Sequence, residues 1–393
     1  MFDVAIVGAR CAGSPLAMLL ARKGYRVLLV DRDRFPSDAL STHVVKIPGG
    51  ARLKRWQLLD AVIATNCPPI SRITFDVGPF ALTGSAPALD GVDADYSPRR
   101  TLLDHMLLNA AASAGAECRE RFRVESLVVT NGVVSGISGR TASGASVIEH
   151  ARVVVGADGL RSIVAQQVGA RERHTRGRLS CAYYTYWSDV PIEGAELYAR
   201  DGASVIAFPT NDGLTCVLVQ RPASEFDRMK ERVEAAYLET VALAPTLAER
   251  LRHGRRADRF YGTGDLPNFF REACGPGWAL AGDAACHRDP ITAQGISDAF
   301  RDADLLADAI EAGLSGRLPF DRALADYQAA READGLPMFE LTCQLAALQP
   351  PPPPLQAYFA AIRGNQSEID RFIGAIIGTV PVADVFGPPR TQR

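Results

Sequence analysis

A glycine-rich turn near the start of the chain, followed by an acidic residue, has the residue types that bind a dinucleotide. The turn reads Gly8-Ala-Arg-Cys-Ala-Gly13, and Asp31 follows it at the end of the next apolar run. Gly8 permits a tight strand-to-helix turn and Gly13 permits close packing, so that free N–H groups of the helix face a pyrophosphate. Asp31 stands where a carboxylate accepts hydrogen bonds from an adenosine ribose. The alternative is a crossover of the same shape with no ligand.

One residue of this turn departs from the dinucleotide-binding pattern. Arg10 occupies the position at which a glycine usually lets a phosphate approach the backbone. The site is preserved if the Arg10 side chain points outward, or if it turns back and pairs with a phosphate. The sequence leaves both arrangements open.

A second turn, Gly156-Ala-Asp158-Gly159, ends a later run of valines. It combines permissive backbone angles with one carboxylate at the carboxyl end of a buried strand, where α/β proteins bind nucleotides. Read by itself, it is equally well an ordinary Asp-Gly turn.

A third stretch joins Gly282 and Asp283 to Pro290 and then to a helix that begins near Gly295 and Ile296. The end of such a helix carries partial positive charge and unpaired N–H donors, which suits a group that becomes negative during a reaction. A reduced flavin is such a group, and Asp283 could bind its ribityl hydroxyls. The alternative is a capped helix after a strand. The apolar stripe that fixes this helix consists of Ile296, Ala299, Phe300, Ala303, Leu306, Ala307 and Ile310.

The elements that position these turns can be predicted from periodicity. Residues 3–7 and 26–30 are short apolar strands on either side of a helix at 14–23, which makes a βαβ unit. Thr101-Leu-Leu-Asp104 has the form of a capping box that opens another helix, which Gly115 ends. The Asn131-Gly132 pair predicts a hairpin of residues 122–130 and 133–138, followed by a strand at 146–155.

The remaining segments predict a second, mainly antiparallel sheet. Residues 71–87 and 178–220 alternate in strand fashion, whereas helices dominate 225–253 and the chain from 296 onward. We therefore expect an α/β fold with a Rossmann-like nucleotide-binding domain (1–70, 95–175 and 262–349) interleaved with a mainly antiparallel β-sheet substrate domain (71–94 and 176–261). The proline-rich stretch 349–355 predicts a linker to a C-terminal helical tail within 350–393.

Composition excludes several classes of protein. The chain has 393 residues, a net charge of −2 and 47% hydrophobic residues, which is ordinary for a soluble globular protein and gives no general attraction to nucleic acid. No apolar run is long enough to span a bilayer, and a strand that starts at about Phe2 leaves no room for a secretory signal. The eight cysteines show no zinc spacing, so we expect no metal, reduced thiols and a cytoplasmic location.

The three turns, in this order and at this spacing, resemble the FAD-dependent aromatic hydroxylase superfamily, of which para-hydroxybenzoate hydroxylase is the best-known type. The likeness covers roughly residues 1–345. Flavin-dependent halogenases and geranylgeranyl reductases share much of this framework. The halogenase Trp-x-Trp-x-Ile-Pro motif is missing, since the nearest stretch, TYWSDVPI, has one tryptophan. The sequence therefore argues against halogenation.

The resemblance implies tightly bound, non-covalent FAD, with NAD(P)H as a transient co-substrate, because no second glycine-rich unit is present. It also implies that Pro290 lies on the substrate side of the flavin, through its backbone. The residues expected at the cofactor on the same ground are Gly8, Ala12, Gly13, Asp31, Arg100, Val124, Asp158, Gly282, Asp283, Gly295 and Ile296.

Several other residues have two possible roles. Tyr184, Tyr186 and Phe208 face one side of the second sheet and either bind substrate or fill that sheet. His43 either contacts FAD or, as we favour, faces solvent. Asp289 either faces substrate or, as we favour, caps its loop, and His287 has no assigned role.

The leading hypothesis is a single-component FAD monooxygenase that uses NAD(P)H and O₂ to hydroxylate an aromatic or other electron-rich small molecule. The runner-up is an FAD-dependent reductase or dehydrogenase of carbon–carbon double bonds, as in the geranylgeranyl reductases. A third hypothesis is a non-catalytic protein that escorts lipidated partners; the Gly282-Asp283 motif argues against it.

Overall fold

A computed structural model describes residues 1–386 of the chain. Its strands, in chain order, are β1 (Phe2–Val7), β2 (Val27–Val30), β3 (Pro69–Ile70), β4 (Ile73–Asp76), β5 (Ala81–Gly84), β6 (Asp95–Tyr96), β7 (Glu117–Arg119), β8 (Arg123–Thr130), β9 (Val133–Arg140), β10 (Ser146–Gly156), β11 (Glu172–Arg178), β12 (Ser180–Ser188), β13 (Ala195–Arg200), β14 (Ala203–Pro209), β15 (Thr215–Pro222), β16 (Arg255–Arg256), β17 (Tyr261–Thr263), β18 (Pro267–Arg271), β19 (Cys274–Gly275), β20 (Trp278–Leu280) and β21 (Cys286–His287).

The helices alternate with these strands and dominate the last third of the described chain. In chain order they are α1 (Gly13–Arg22), α2 (Ile47–Arg55), α3 (Leu59–Ile63), α4 (Arg100–Ser113), α5 (Ile163–Gln167), α6 (Phe226–Glu231), α7 (Val233–Val241), α8 (Pro245–His253), α9 (Gly295–Leu314), α10 (Phe320–Ala346), α11 (Pro353–Ile362), α12 (Gln366–Ile377) and α13 (Val382–Phe386).

The first large sheet has the strand order β19-β20-β10-β1-β2-β7, and β20, β10, β1, β2 and β7 run parallel. Its register aligns the strand ends, because Val7 lies beside both Val30 and Gly156, and Gly156 lies beside Leu280. The turns that follow these strands therefore meet at one edge of the sheet, as in other doubly wound sheets. This alignment brings the three sequence motifs together.

The second large sheet is mainly antiparallel and has the order β16-β12-β15-β14-β13-β4-β5, with β17 paired to β12. Alternation along β12 gives it two different faces. Tyr184 and Tyr186 point toward the core shared with the first sheet, whereas Tyr183 and Trp187 pack in a separate core with α7 and α8. The second sheet that the sequence predicts is therefore confirmed, together with its division of aromatic residues.

The C-terminal helices pack onto the second sheet. Phe372 of α12 lies 5.4 Å from Phe75 of β4 between ring centroids, and Phe359 of α11 lies 5.8 Å from the same ring. Pro353 begins α11, so part of the predicted linker is helix. The end of the predicted tail, residues 387–393, lies outside the described residues. The α/β fold with a C-terminal helical region is confirmed, and the domain boundaries stay a prediction.

Two local predictions can be compared with the structure directly. The Asn131-Gly132 hairpin is confirmed, with φ of 52° and 80° at its two turn residues. The prediction of a capping box at Thr101–Asp104 is wrong. The helix α4 begins at Arg100 without a side-chain cap, and the Asp104 carboxylate instead binds two arginines.

Within residues 1–386 no helix is both long and apolar enough to cross a bilayer.

Candidate functional site

A cavity of about 600 Å³ lies at the carboxyl edge of the parallel sheet, against the second sheet. A volume of this size is typical of a pocket for a cofactor or a large ligand. It is bounded by Pro290, which was predicted on the substrate side of the flavin, and by nearly all the residues predicted to bind the cofactor: Gly8, Ala12, Asp31, Arg100, Val124, Asp158, Gly282, Asp283, Gly295 and Ile296. Gly13 is buried behind this wall.

Gly8 and Gly13 are glycines because the backbone passes very close to them. Gly8 has φ of +103°, and a Cβ atom there would lie 2.3 Å from the carbonyl oxygen of Ala157. A Cβ on Gly13 would lie 1.8 Å from the carbonyl oxygen of Gly8. The first turn therefore fits against the second only without side chains. Ala12, the N-cap of α1, provides no side-chain cap, which leaves this helix end open toward the cavity.

Asp31 supports the glycine turn and also borders the cavity. Its Oδ2 accepts a 2.7 Å hydrogen bond from the Ala9 N–H, and its Oδ1 accepts one of 2.8 Å from the Asp33 N–H. Burial raises the pKa of Asp31, and both backbone N–H groups act in the opposite direction. Two carboxylate oxygens can accept about four hydrogen bonds, so the predicted contact to ribose hydroxyls remains available.

Arg10 adopts neither of the two arrangements that the sequence left open. Its guanidinium donates to Asp104 at 2.6 Å and to Asp33 at 3.1 Å, and it binds Ser37 Oγ at 2.9 Å. The side chain is 21% exposed and borders the cavity, and its guanidinium nitrogens are paired with protein oxygens. Arg10 instead ties the glycine turn to α4 and to the loop after β2.

Asp104 is the residue at this end of the site that sequence reasoning missed. Its side chain is fully buried and accepts hydrogen bonds from Arg10, from Arg100 Nε at 3.0 Å and Nη2 at 2.9 Å, and from Cys11 Sγ at 3.3 Å. Arg100, which was predicted to contact the cofactor, is held by Asp104 and borders the cavity. The available signal was the spacing of Arg100 and Asp104, four residues apart on one helix.

The second turn forms another wall of the cavity. The Asp158 Oδ2 accepts a 2.7 Å hydrogen bond from the N–H of Ile163, the first residue of α5. Burial raises the pKa of this carboxyl. Gly159 has φ of +78°, as an Asp-Gly turn requires. The two readings of this stretch are therefore compatible, since it is a tight turn and also borders the cavity.

The third turn carries a carboxylate that faces the cavity. Gly282 has φ of +60°, and a Cβ there would lie 2.9 Å from the Ala12 side chain, so the third turn packs directly on the first. Asp283 is exposed at the cavity and makes no side-chain hydrogen bond among the residues that the structure describes. The Gly282 N–H donates to Asp302 Oδ2 at 3.0 Å, and Arg331 holds the same oxygen at 3.0 Å. No sequence pattern indicated this buried pair.

Helix α9 begins at the cavity with its first turn uncapped. The side chain of its N-cap residue, Gln294, turns away and donates to the carbonyl oxygens of Ile376 at 2.9 Å and Ile377 at 3.3 Å. A Cβ on Gly295 would meet no atom within 4 Å, because this residue faces open space. All seven residues of the predicted apolar stripe are buried, which confirms that the helix is fixed against the core.

The loop before α9 is held rigidly. Asp289 accepts hydrogen bonds from Ser180 Oγ at 2.5 Å, from Gln220 Nε2 at 2.8 Å, and from the Ile291 N–H at 3.1 Å. It therefore caps the short turn Pro290–Thr292, the role that we favoured. His287 borders the cavity, binds the Pro267 carbonyl oxygen through Nδ1 and stacks on Phe269.

The prediction that His43 faces solvent is wrong. The ring is 2% exposed; its Nδ1 lies 3.0 Å from the carbonyl oxygen of Ser97, and its Nε2 lies 2.8 Å from the Tyr186 hydroxyl. A carbonyl oxygen only accepts, so Nδ1 carries the proton and Tyr186 donates to Nε2. Burial, with a further contribution from Arg99, lowers the pKa of His43 to about 3. This histidine is therefore neutral at physiological pH.

The three predicted substrate residues lie in different places. Tyr184 borders the large cavity and stacks on Tyr261, with 5.1 Å between ring centroids. Tyr186 does not line the large cavity, and its hydroxyl group binds His43 Nε2. Phe208 borders a second, much smaller pocket of about 30 Å³, which shares Pro290 with the large cavity. The site therefore has two compartments that meet at the loop before α9.

The residues present fit FAD. The cavity has the volume for a dinucleotide-sized ligand, a glycine cradle that side chains would fill, and two open helix ends for the pyrophosphate and the flavin. Asp31 and Asp283 offer carboxylate oxygens for sugar and ribityl hydroxyls.

Comparison with known proteins agrees with this fit. Residues 1–338 match a protein family described as FAD binding domain. The chain is 26% identical, over 345 residues, to the digeranylgeranylglycerophospholipid reductase of Methanocella arvoryzae, and the match covers 85% of this chain and 84% of that protein.

Two solved structures show the same fold. The myxobacterial chondrochloren halogenase CndH, an FAD-dependent halogenase, superposes with a TM-score of 0.80 at 24% identity over 99% of this chain and 98% of that one. PqsL of Pseudomonas aeruginosa, described as a probable FAD-dependent monooxygenase, superposes with a TM-score of 0.71 at 22% identity over 96% and 100% of the two chains.

Proposed function

The chain belongs to the family of FAD binding domains, and on that premise we propose that it is a single-component monooxygenase using NAD(P)H and O₂. FAD is its cofactor, and the chain is an FAD-dependent oxidoreductase. The proposed substrate is an aromatic or other electron-rich small molecule.

The observation that carries the proposal is the meeting of two compartments at the start of α9. The large cavity and the small pocket share Pro290 and Ala293, on the loop before α9, and Gly295 borders the large one. The small pocket is lined mainly by aliphatic side chains and by Phe208, and at about 30 Å³ it would hold an apolar substrate and exclude water only after its walls move outward. A buried substrate beside a flavin is the arrangement that oxygen transfer requires.

Different residues of this chain would bind different parts of FAD. The open end of α1 would bind the pyrophosphate, Asp31 the adenosine ribose, and Asp283 the ribityl chain. The N–H groups of the first turn of α9, with Gly295 and Ile296, would donate to the pyrimidine edge of the flavin and stabilise negative charge there. Bound FAD would supply two-electron chemistry between NAD(P)H, O₂ and the substrate.

The polypeptide needs no nucleophilic side chain for this reaction. Its work would be to position the two reactants, to exclude water through the apolar pocket, and to hold charge through the α9 N–H donors. Tyr184 would cover the cavity from the second sheet. NAD(P)H would dock transiently, since the one glycine-rich βαβ unit is assigned to FAD.

A second candidate is an FAD-dependent reductase of carbon–carbon double bonds. It is favoured by the reductase of M. arvoryzae, whose likeness runs along most of both chains. Halogenation is disfavoured, because Trp187, the one tryptophan of the TYWSDVPI stretch, lies behind the second sheet and donates to Tyr237 Oη at 3.1 Å.

Oxygen dependence separates the two candidates. The FAD-loaded protein is mixed with NADPH or NADH and a panel of aromatic acids, phenols and prenylated lipids, with air and without it. A monooxygenase adds one atom of ¹⁸O from ¹⁸O₂ to its substrate, detected by mass. A product that gains two hydrogens in the absence of O₂ identifies the reductase instead and contradicts the proposal.

A further inference from the structure

Lys46 is a buried lysine that the cofactor site does not use. It is the N-cap residue of α2, and its side chain is 9% exposed. Its backbone N–H donates to Ser297 Oγ, in the first turn of α9, at 3.1 Å. The backbone of this lysine is therefore tied directly to the helix end that faces the large cavity.

Asp95 holds the Lys46 ammonium group in place. The Lys46 Nζ lies 3.2 Å from Asp95 Oδ2, and Asp95 Oδ1 accepts a 2.7 Å hydrogen bond from the Ile47 N–H. Each oxygen of this buried carboxylate thus has a donor. The ammonium group has three donors, and among residues 1–386 it makes a single hydrogen bond. Lys46 therefore retains donor capacity in a buried place.

Lys46 also lines the small apolar pocket. Lys46 and Asp95 are the charged residues among its lining, and the other walls include Ile206, Phe208 and Leu218 from the second sheet. Pro290 and Ala293 connect this pocket to the large cavity. A cation with spare donors among apolar side chains is the arrangement that fixes the orientation of an otherwise apolar ligand.

A purely structural ion pair explains these contacts less well. Burying two charges costs more than an apolar pair of similar volume would, so such pairs are retained poorly for stability alone. A purely structural role also does not explain why Lys46 borders a pocket and why two of its N–H donors have no acceptor among the described residues. An oxygen atom of a bound ligand would explain both observations.

We propose that Lys46, positioned by Asp95, is a specificity-determining residue that donates to one anionic oxygen of an otherwise apolar substrate. The oxygen belongs to a carboxylate or a phenolate, which share this chemistry. The inference rests on the proposed function, because it places the substrate beside Pro290. The pocket has room for about one water molecule, so the proposal requires the wall formed by Ile376 and Ile377 to move outward when a substrate binds.

The test measures binding of probes to the FAD-loaded protein, without turnover. The probes are phenylacetate, pentafluorophenolate and their uncharged counterparts, phenylacetamide and pentafluoroanisole, and the readout is the change in flavin absorbance on titration. The variant Lys46→Met/Asp95→Asn removes both charges, and the new amide oxygen at position 95 can still accept from the Ile47 N–H. The control is Lys54→Met, since Lys54 is an exposed lysine of the same helix.

We expect the double variant to bind at least one acidic probe about tenfold or more weakly, because a charge-assisted hydrogen bond is lost. Affinity for the uncharged probes, and all affinities of Lys54→Met, should change less than about twofold. The probe that loses more affinity, carboxylate or phenolate, identifies the source of the oxygen. Lys46→Gln, whose amide still donates to Asp95, should give the same result and serves if the double variant does not fold.

Equal losses for charged and uncharged probes, unchanged affinity for the acidic probes, or no binding of them to the wild-type protein would each overturn the assignment. These outcomes are independent of catalysis. Failure to incorporate oxygen would overturn the proposed monooxygenase but leave a Lys46-dependent binding result standing.

Discussion

Arg10 and Asp104, 94 residues apart in the sequence, form a 2.6 Å ion pair across the wall of the cofactor cavity. The pair joins the glycine turn to α4, and Arg10 extends the connection to Asp33 and Ser37. An arginine at a position usually held by glycine therefore fixes the loop that borders the cavity next to Asp31.

The first prediction follows from that pairing. Arg10→Gly should lower the free energy of unfolding by about 1–3 kcal/mol, because a partly buried charge-assisted network is lost while Asp104 keeps Arg100. FAD affinity should fall several-fold, since the loop after β2 is released. Arg34→Gly, at an exposed arginine of the same loop, is the control for both measurements. Affinity equal to or higher than wild type would show that Arg10 does not organise the site.

The second prediction concerns Asp31. In Asp31→Asn the side-chain oxygen can still accept one backbone N–H, so the fold should persist. The dissociation constant for FAD, measured by fluorescence titration of apoprotein, should rise about tenfold because charge-assisted hydrogen bonds to the ribose are weakened. Asp60→Asn, at an exposed position, provides the comparison. An unchanged dissociation constant in Asp31→Asn would contradict the assignment of Asp31 to the adenosine ribose.

The third prediction is a dependence of stability on pH through His43. Its pKa is about 3 in the folded protein, against 6.5 for an ordinary histidine. The unfolded chain binds a proton below pH 6.5 that the folded chain does not, so stability is complete above that pH and is lost as the pH falls toward 3.

Denaturant unfolding at about pH 7.5 and about pH 5 measures this effect. The wild-type protein should lose about 2 kcal/mol more than His43→Gln between these two values. His253→Gln, at an exposed histidine, should behave as wild type. Parallel losses in the wild-type protein and His43→Gln would mean that His43 is not held neutral.

The fourth prediction concerns the docking of α12. Gln294→Ala removes the two hydrogen bonds to the carbonyl oxygens of Ile376 and Ile377. Buried carbonyl groups without donors cost about 1–3 kcal/mol, so α12 should detach more often. Limited proteolysis should then cleave residues 350–365 several-fold faster than in wild type. Gln344→Ala is the control, since Gln344 is exposed on α10 and lies outside the cleaved segment. An unchanged cleavage rate would show that Gln294 does not hold the tail.

Much of the fold and of the cavity could be predicted because the signals are local. Gly8, Gly282 and the apolar stripe of α9 are imposed by close backbone approach and by helical periodicity, and both are visible in a few residues of sequence. Alternation along β12 likewise predicted that Tyr184 and Tyr186 share one face of the second sheet.

The remaining features depend on pairs that are distant in the sequence. The partner of Arg10 lies on α4, the partner of Lys46 lies on β6, and Asp302 pairs with Arg331 across two helices. His43 was misjudged because its burial comes from Tyr186 on the second sheet, which no local pattern indicates. A single sequence shows a charged residue but not the tertiary contact that neutralises it.

The most direct measurement compares FAD binding by Gly295→Leu and wild type. Gly295 faces open space, so the variant should fold, but its side chain would extend into the cavity where the flavin pyrimidine ring is placed. The control is Ala330→Leu, at an exposed position of α10. We expect Gly295→Leu to bind FAD at least about tenfold more weakly, as the α9 N–H donors lose the flavin, and the control to bind normally. Normal FAD affinity in Gly295→Leu would contradict the placement of the flavin at the start of α9.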